Sequence, residues 1–202
     1  MPATRDAATK GDRTRRRLLD ATAAEVARCG RAAASLSGIA AVAGVKTGSI
    51  YFHFDSKEQL IDTMLEEGLR ETLRYLDAAL AEIPDHNDAG ERLWAAVRAH
   101  LHALVDLGDY AAVVLRLESS PDGRGPGTYR ALIHRYGDRW TALVGDAQRT
   151  GAIAAGADPR LVRDLLFGAM NASLLRPSRP EGPAAAEEVA ASLKGLLSLP
   201  RR

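Results

Sequence analysis

At positions 44–60 the stretch GVKTGSIYFHFDSKEQL crowds two glycines, a threonine, two serines, a tyrosine, a histidine and two lysines together. These types suit contact with oxyanions better than bond-making. A helix whose first turn enters a major groove must come close to the sugar-phosphate backbone, so small residues are needed there, with polar ones to reach phosphates or base edges. Thr47, Gly48 and Ser49 meet that need. A glycine such as Gly48 inside a short helix costs about 1 kcal/mol relative to alanine, and close approach of a partner is one reason to accept it. Ile50 and Phe54, four apart, can face inward, which leaves Tyr51 and His53 to project toward the partner. Lys57 falls in the first turn of the next helix, where the helix dipole favours an anion. Small residues at a turn with a few charges also occur in helical proteins that bind no nucleic acid, and Tyr51 or His53 alone is as easily an ordinary half-buried residue. The conjunction is the specific signal.

Short helices must hold this segment. Upstream, DRTRRRLLDATAAEVARCG places Leu18, Leu19, Thr22, Ala23 and Val26 on one face and stops at Gly30. Ser35 can cap a second helix carrying Leu36, Ile39, Ala40 and Ala43, and a positive φ at Gly44 would turn the chain sharply. A third short helix is expected at about 47–52. The fourth starts near Ser56 and runs through Leu60, Ile61, Met64, Leu65, Leu69, Leu73, Leu76 and Leu80 to about Ile83, before Pro84. Further helical periodicities cover about 90–107, 109–119, 127–150, 158–175 and 184–198, and nothing has the alternation of a strand. The expected fold class is all-α.

Composition agrees. A chain of 202 residues can bury a substantial core. The single cysteine, Cys29, excludes an intramolecular disulfide framework and fits a reducing cytosol with a buried thiol. No apolar run is long enough to span a bilayer, and the N-terminus lacks the apolar core of a secretory signal; a cytoplasmic protein without membrane contact is expected. The net charge of +1 hides an asymmetry: residues 1–60 carry ten Lys/Arg and six Asp/Glu, residues 61–202 seventeen and twenty. Positive charge therefore gathers around the unusual segment.

TRRRLLDATAAEVARCG and SLSGIAAVAGVKTGSIYFHFDSKEQL, at this spacing, resemble the N-terminal DNA-binding domain of the TetR family of bacterial transcriptional regulators, closely over about residues 12–65. In that family the second and third helices form the helix-turn-helix and the third is the recognition helix. The resemblance implies base or backbone contacts for Lys46, Thr47, Gly48 and Ser49, and phosphate contacts for Tyr51, His53 and Lys57. The sequence departs from the pattern at Lys46, where a capping serine is frequent, at Gly38, often acidic, and at Arg31, often aromatic. The arm RDAATKGDRTRRR is either a solvated terminus or a source of phosphate and minor-groove contacts through Arg13, Arg15, Arg16 or Arg17.

The resemblance further implies that helices between about 90 and 150 surround a ligand pocket and that the last two helices pair with their copies across a two-fold axis. Residues 158–175 and 184–198 have faces suited to this, with Leu161, Leu165, Leu166, Ala169, Met170, Ala172, Val189, Leu193, Leu196 and Leu197 and with Gly168 allowing close approach; the same faces could instead close the monomer core. Candidate ligand contacts are Trp94, His100, Tyr110, Arg116, His134, Tyr136 and Trp140, which mix apolar bulk with polar handles. His100 and His102 point to nearly opposite sides of a helix at i,i+2, so no metal site is expected. No phosphate-binding loop, nucleophile elbow, zinc-protease or C-x-x-C motif occurs, so no catalytic residue and no cofactor are expected. The expected organisation is a flexible basic arm (1–11), a helix-turn-helix DNA-binding domain (12–56) and a ligand-binding and dimerisation domain (57–202). The expected function is a homodimeric regulator, most simply a repressor, released from a palindromic site in double-stranded DNA by a small-molecule effector. The rival is a helical small-molecule-binding or adaptor protein that has lost DNA recognition.

Overall fold

The structure is a computed structural model that describes residues 9–84, 88–118, 125–174 and 182–197. Among these the chain forms α1 (Lys10–Cys29), α2 (Leu36–Ala43), a 3₁₀ helix (Thr47–Phe52), α3 (Lys57–Ala81), α4 (Ala89–Asp106), α5 (Gly108–Glu118), α6 (Gly127–Arg149), α7 (Pro159–Leu174) and α8 (Pro183–Leu197), with no strand. The all-α expectation holds, and the breaks fall where the glycine and proline signals put them.

Local chemistry explains the ends. The Thr9 hydroxyl accepts from the Asp12 N–H at 3.1 Å while the Asp12 carboxylate accepts from the Thr9 N–H at 3.0 Å, a reciprocal cap that starts α1 at Lys10. Thr9 to Gly11, read from sequence as part of the arm, therefore belong to the helix start; residues 1–8 lie outside the described residues. Ser35 caps α2 by accepting from the Gly38 N–H at 3.1 Å, and Ser56 caps α3 by accepting from the Gln59 N–H at 3.0 Å. Gly44 takes φ 64°, the left-handed conformation that lets its N–H return to the Ala40 and Ala41 carbonyls and the chain turn at once. Cys29 is half-buried, its Sγ 3.1 Å from the Glu25 carbonyl, rather than fully enclosed.

Two apolar clusters organise the packing. One joins Leu18, Leu19, Ile39, Ile50, Phe54, Leu60, Met64 and Leu69 to Tyr110, Val113 and Tyr129. The other joins Leu73, Leu76 and Leu80 to Trp94, Leu101, Trp140, Val144, Leu166 and Met170. Helix α3 serves both, changing allegiance between Leu69 and Leu73. The first cluster draws in α5, so the helix-turn-helix rests directly on the C-terminal half.

Candidate functional site

The turn between α2 and α3 is a 3₁₀ helix of six residues; the Ser49 N–H bonds the Lys46 carbonyl at 2.8 Å, closing an i→i+3 ring, and Lys46 supplies no side-chain cap. Ile50 and Phe54 are buried, and anchor the turn on α1 and α3. Lys46, Thr47, Gly48 and Tyr51 are exposed, Ser49 and His53 half-buried. A Cβ added at Gly48 would meet nothing within 4 Å, and its φ is not positive, so nothing inside the chain requires a glycine there. Phe52, passed over in the sequence reading, is 88% exposed, more than Tyr51 at 59%. Its outward direction could have been inferred from the inward pair Ile50 and Phe54, which leaves three consecutive side chains for the solvent side.

Lys57 is placed differently from these. It is half-buried, and its Nζ donates to the Ala34 carbonyl at 3.1 Å, tying the start of α3 to the loop before α2. The departure at Gly38 has a steric reason: a Cβ there would collide with the carboxylate of Glu25, a buried group paired with Arg28 at 2.8 Å. An acidic group thus reaches this spot from α1 instead of α2. Arginines of the arm are also engaged internally. Arg16 pairs with Asp20 at 3.2 Å, Glu67 at 3.5 Å and Glu71 at 3.2 Å; Arg17 donates to the Ala43 carbonyl at the end of α2; Arg15 lies over the Phe54 ring at 5.3 Å.

A cavity of about 640 Å³ lies between α3, α4, α5, α6 and α7. It brings together four of the seven candidate ligand contacts, His100, Tyr110, His134 and Tyr136. Trp94 and Trp140 pack in the second apolar cluster, and Arg116 lines a separate depression with Lys57 and Arg31, where it donates to the Ala27 carbonyl at 3.0 Å. Leu104, Val114, Ile133, Phe167 and Asn171 complete much of the wall. Arg163, Phe167 and Asn171 recur at every fourth position and so share one face of α7, a signal that the sequence does contain.

The inner polar end is a closed set. His100 Nδ1 is 2.8 Å from the Tyr136 hydroxyl and its Nε2 is 3.2 Å from Asn171 Oδ1. An amide oxygen can only accept, so Nε2 donates to Asn171; with the imidazole neutral, as its burial favours, Nδ1 accepts from the phenol. Burial pulls the His100 pKa down to about 4, against a smaller upward push from Asn171. Burial likewise holds the Tyr136 phenol well above its ordinary value. Phe167 stacks on Tyr136 at 5.7 Å, and Trp140 meets Phe167 edge-on at 5.1 Å. Arg160, Arg163 and Asp164 of α7 and Asp138 of α6 line the same cavity, and Arg163 is held by Thr141 at 2.9 Å and Asp164 at 2.8 Å. His102 points elsewhere, 2.9 Å from Glu187, and among the described residues no group of three His, Cys, Asp or Glu could hold a metal ion.

The α7 and α8 faces divide. Leu166 and Met170 are buried in the core, whereas Leu161, Leu165 and Leu196 are exposed, with Ala169 and Ala172 beside them on α7. The side chain of Leu197 lies outside the described residues.

The profile of bacterial regulatory proteins of the tetR family matches residues 18–64, and that of the tetracyclin repressor-like C-terminal domain matches residues 86–198. The fatty acid metabolism regulator protein of Bacillus subtilis (strain 168) is 26% identical over 158 residues, 76% of this chain and 78% of that one. Among solved structures, the regulator FadR from Bacillus subtilis in complex with stearoyl-CoA superposes with a TM-score of 0.66 at 23% identity, covering 88% of this chain and 96% of the other. AibR in complex with isovaleryl coenzyme A and operator DNA superposes with a TM-score of 0.73 at 22% identity, covering 91% and 97%. These two likenesses concern the fold.

Proposed function

The chain belongs to the tetR family of bacterial regulatory proteins and is a DNA-binding transcriptional regulator, and from that premise we propose how it works: as a homodimeric repressor whose two recognition turns enter successive major grooves of a palindromic operator. The observation that carries this reading is the recognition turn itself. Thr47 and Gly48 are exposed beside Tyr51, and the glycine has no internal justification. Lys46, Thr47, Gly48 and Ser49 take the groove, Tyr51 and His53 take phosphates, and Lys57 takes a phosphate with the N–H groups not given to Ala34. The exposed leucines of α7 and α8 form the dimer contact, and α3 joins a DNA-binding unit (12–56) to an effector and dimer unit (57–202).

The cavity between α3 and α7 receives the effector. Its leucine-rich wall and the arginine pair at the start of α7 suit an apolar chain with an anionic head. The ligands named for two proteins of the same fold, stearoyl-CoA and isovaleryl coenzyme A, are of this kind. His100, Tyr110, His134 and Tyr136 are the contacts assigned to it. Binding favours a state whose recognition turns are wrongly spaced, and by linkage operator DNA weakens effector binding by the same factor. His100, Tyr136 and Asn171 satisfy one another at the inner end of the cavity, which suits binding rather than catalysis, and in this reading the protein is not an enzyme. No helix among the described residues is long and apolar enough to cross a membrane, and the regulator acts in the cytoplasm, where its operator lies.

Selection of bound fragments from genomic DNA with purified protein, followed by titration of the enriched fragment at two salt concentrations, tests the reading. A palindrome bound less tightly as salt rises is expected. Absence of any enriched sequence, with and without fatty acyl coenzyme A, would favour an adaptor that kept the fold without its DNA.

A further inference from the structure

Tyr110 belongs to both halves of the molecule. Its ring lines the cavity, while its hydroxyl donates to Asp20 Oδ1 of α1 at 2.8 Å, a contact spanning 90 positions of sequence. The guanidinium of Arg16, one turn earlier in α1, lies 6.0 Å from the ring centroid and 3.2 Å from the same Asp20 oxygen. Arg16 also reaches Glu67 at 3.5 Å and Glu71 at 3.2 Å on α3. Against a further side of the ring stands Gly68: a Cβ there would come within 2.8 Å of Tyr110 Cδ1 and 3.2 Å of its Cβ, so the aromatic ring lies against bare helix.

We propose that Tyr110 is the positioning residue through which occupancy of the cavity reaches the DNA-binding helices, an inference that rests on the cavity being the effector site. The ring is confined by the backbone of α3 at Gly68, by Arg16 and by the first apolar cluster, and it also borders the cavity. A ligand that presses on the ring cannot drive it into α3, so the displacement goes to the hydroxyl and to the Asp20–Arg16 pair. Helix α1 carries that displacement onward, because Arg17 holds the last carbonyl of α2 at Ala43, next to the turn at Gly44 that aims the recognition residues. Filling space would require only a phenylalanine; the hydroxyl adds the link to α1. Tyr129 supplies the contrast. Its hydroxyl bonds Glu118 at 2.8 Å in the same manner, yet it joins α6 to α5 and does not line the cavity.

The test compares wild type, Tyr110→Phe, Asp20→Asn and Tyr129→Phe. Stearoyl-CoA and isovaleryl-CoA serve as probes, the enriched fragment as operator, and amide exchange in α1 is followed in the same samples without DNA. Asp20→Asn, which lies outside the cavity, should bind probe and operator separately to within about threefold of wild type, while the factor by which saturating probe weakens operator binding falls by about fivefold or more; Tyr110→Phe should lose the same factor at saturating probe, whatever its own affinity for the probe. Probe should speed α1 exchange in wild type and not in these two variants. Tyr129→Phe should lower thermal stability and leave the factor intact. An unchanged factor and unchanged α1 response in Tyr110→Phe overturn the proposal. Failure of both probes to bind wild type counts against that effector class alone; Val114→Phe then fills the cavity instead. It should speed α1 exchange in the wild-type background but not together with Tyr110→Phe, and an equal response in both backgrounds overturns the coupling.

Discussion

The recognition turn and the cavity wall use polar and aromatic residues in opposite ways. In the wall, His100, Tyr136 and Asn171 satisfy one another and Phe167 packs over them, with Trp140 of the core behind, so each side chain already has an internal task. In the turn, Gly48 has open space around it and Phe52 is 88% exposed, so the chain gains little from either. A residue that lowers the stability of its own fold points outward to a partner. Substitutions in the wall should therefore act on folding first and on operator binding second, and those in the turn should do the reverse.

The largest effect expected is Trp140→Ala. Trp140 is fully buried among Tyr136, Phe167 and His100, and truncating a buried tryptophan costs about 3–5 kcal/mol. Chemical denaturation should show that loss, while the folded fraction keeps its operator affinity; equal losses in both would erase the contrast. Trp140→Phe should be far milder, because phenylalanine keeps most of the apolar volume that alanine gives up.

Acid should act on the wall next. His100 has a pKa of about 4 when folded against an ordinary 6.5, so between those values the unfolded chain binds a proton that the folded chain refuses. Stability then rises with pH across that window and falls as pH drops from 6.5 toward 4, by about 3 kcal/mol in full. Compared with wild type, His100→Gln should flatten the profile in that window. A profile of the same slope would mean that the ring is already charged or solvated when folded.

The same contrast governs what could be read from the sequence. The turn and its supports lie within about 50 residues and depend on local rules: Ser35 and Ser56 as caps, Gly44 as a left-handed stop, Ile50 and Phe54 as an inward pair. Each is found in the structure as the spacing predicts. The cavity draws on five helices and residues from Gly68 to Asn171, so its wall is set by how helices cross, which periodicity does not encode. Aromatic and polar character in that region marks His100, Tyr110, His134 and Tyr136 together with two core tryptophans and Arg116, an arginine that instead caps the end of α1. Apolar wall residues such as Leu104 and Val114 carry no mark that separates them from core. On α7 the face of Arg163, Phe167 and Asn171 was hidden beside a leucine pattern that drew attention to dimer contact.

In the turn, Tyr51→Phe removes one hydroxyl and keeps the ring. A hydrogen bond to a charged phosphate contributes about 1.5 kcal/mol or more, so operator affinity should fall about tenfold for each half-site engaged. The melting temperature should stay where it is, since Tyr51 is 59% exposed. A loss of stability without loss of affinity would place Tyr51 with the wall residues and break the division.

Gly48→Ala is the smallest change and the sharpest, because the two regions' rules predict opposite signs for its two readouts. The φ at Gly48 is not positive and an added methyl meets nothing within 4 Å. Alanine at such a position stabilises a folded chain by about 0.4–1 kcal/mol, chiefly by restricting the unfolded one. The same methyl would stand on the surface that approaches DNA, where small residues allow the closest contact. Denaturation should thus show a slightly more stable protein and titration a weaker operator complex. A gain in stability with unchanged affinity would move the groove contact away from Gly48 toward Thr47 and Lys46; a loss of stability would mean that the turn is constrained from inside, and that the glycine never marked a partner.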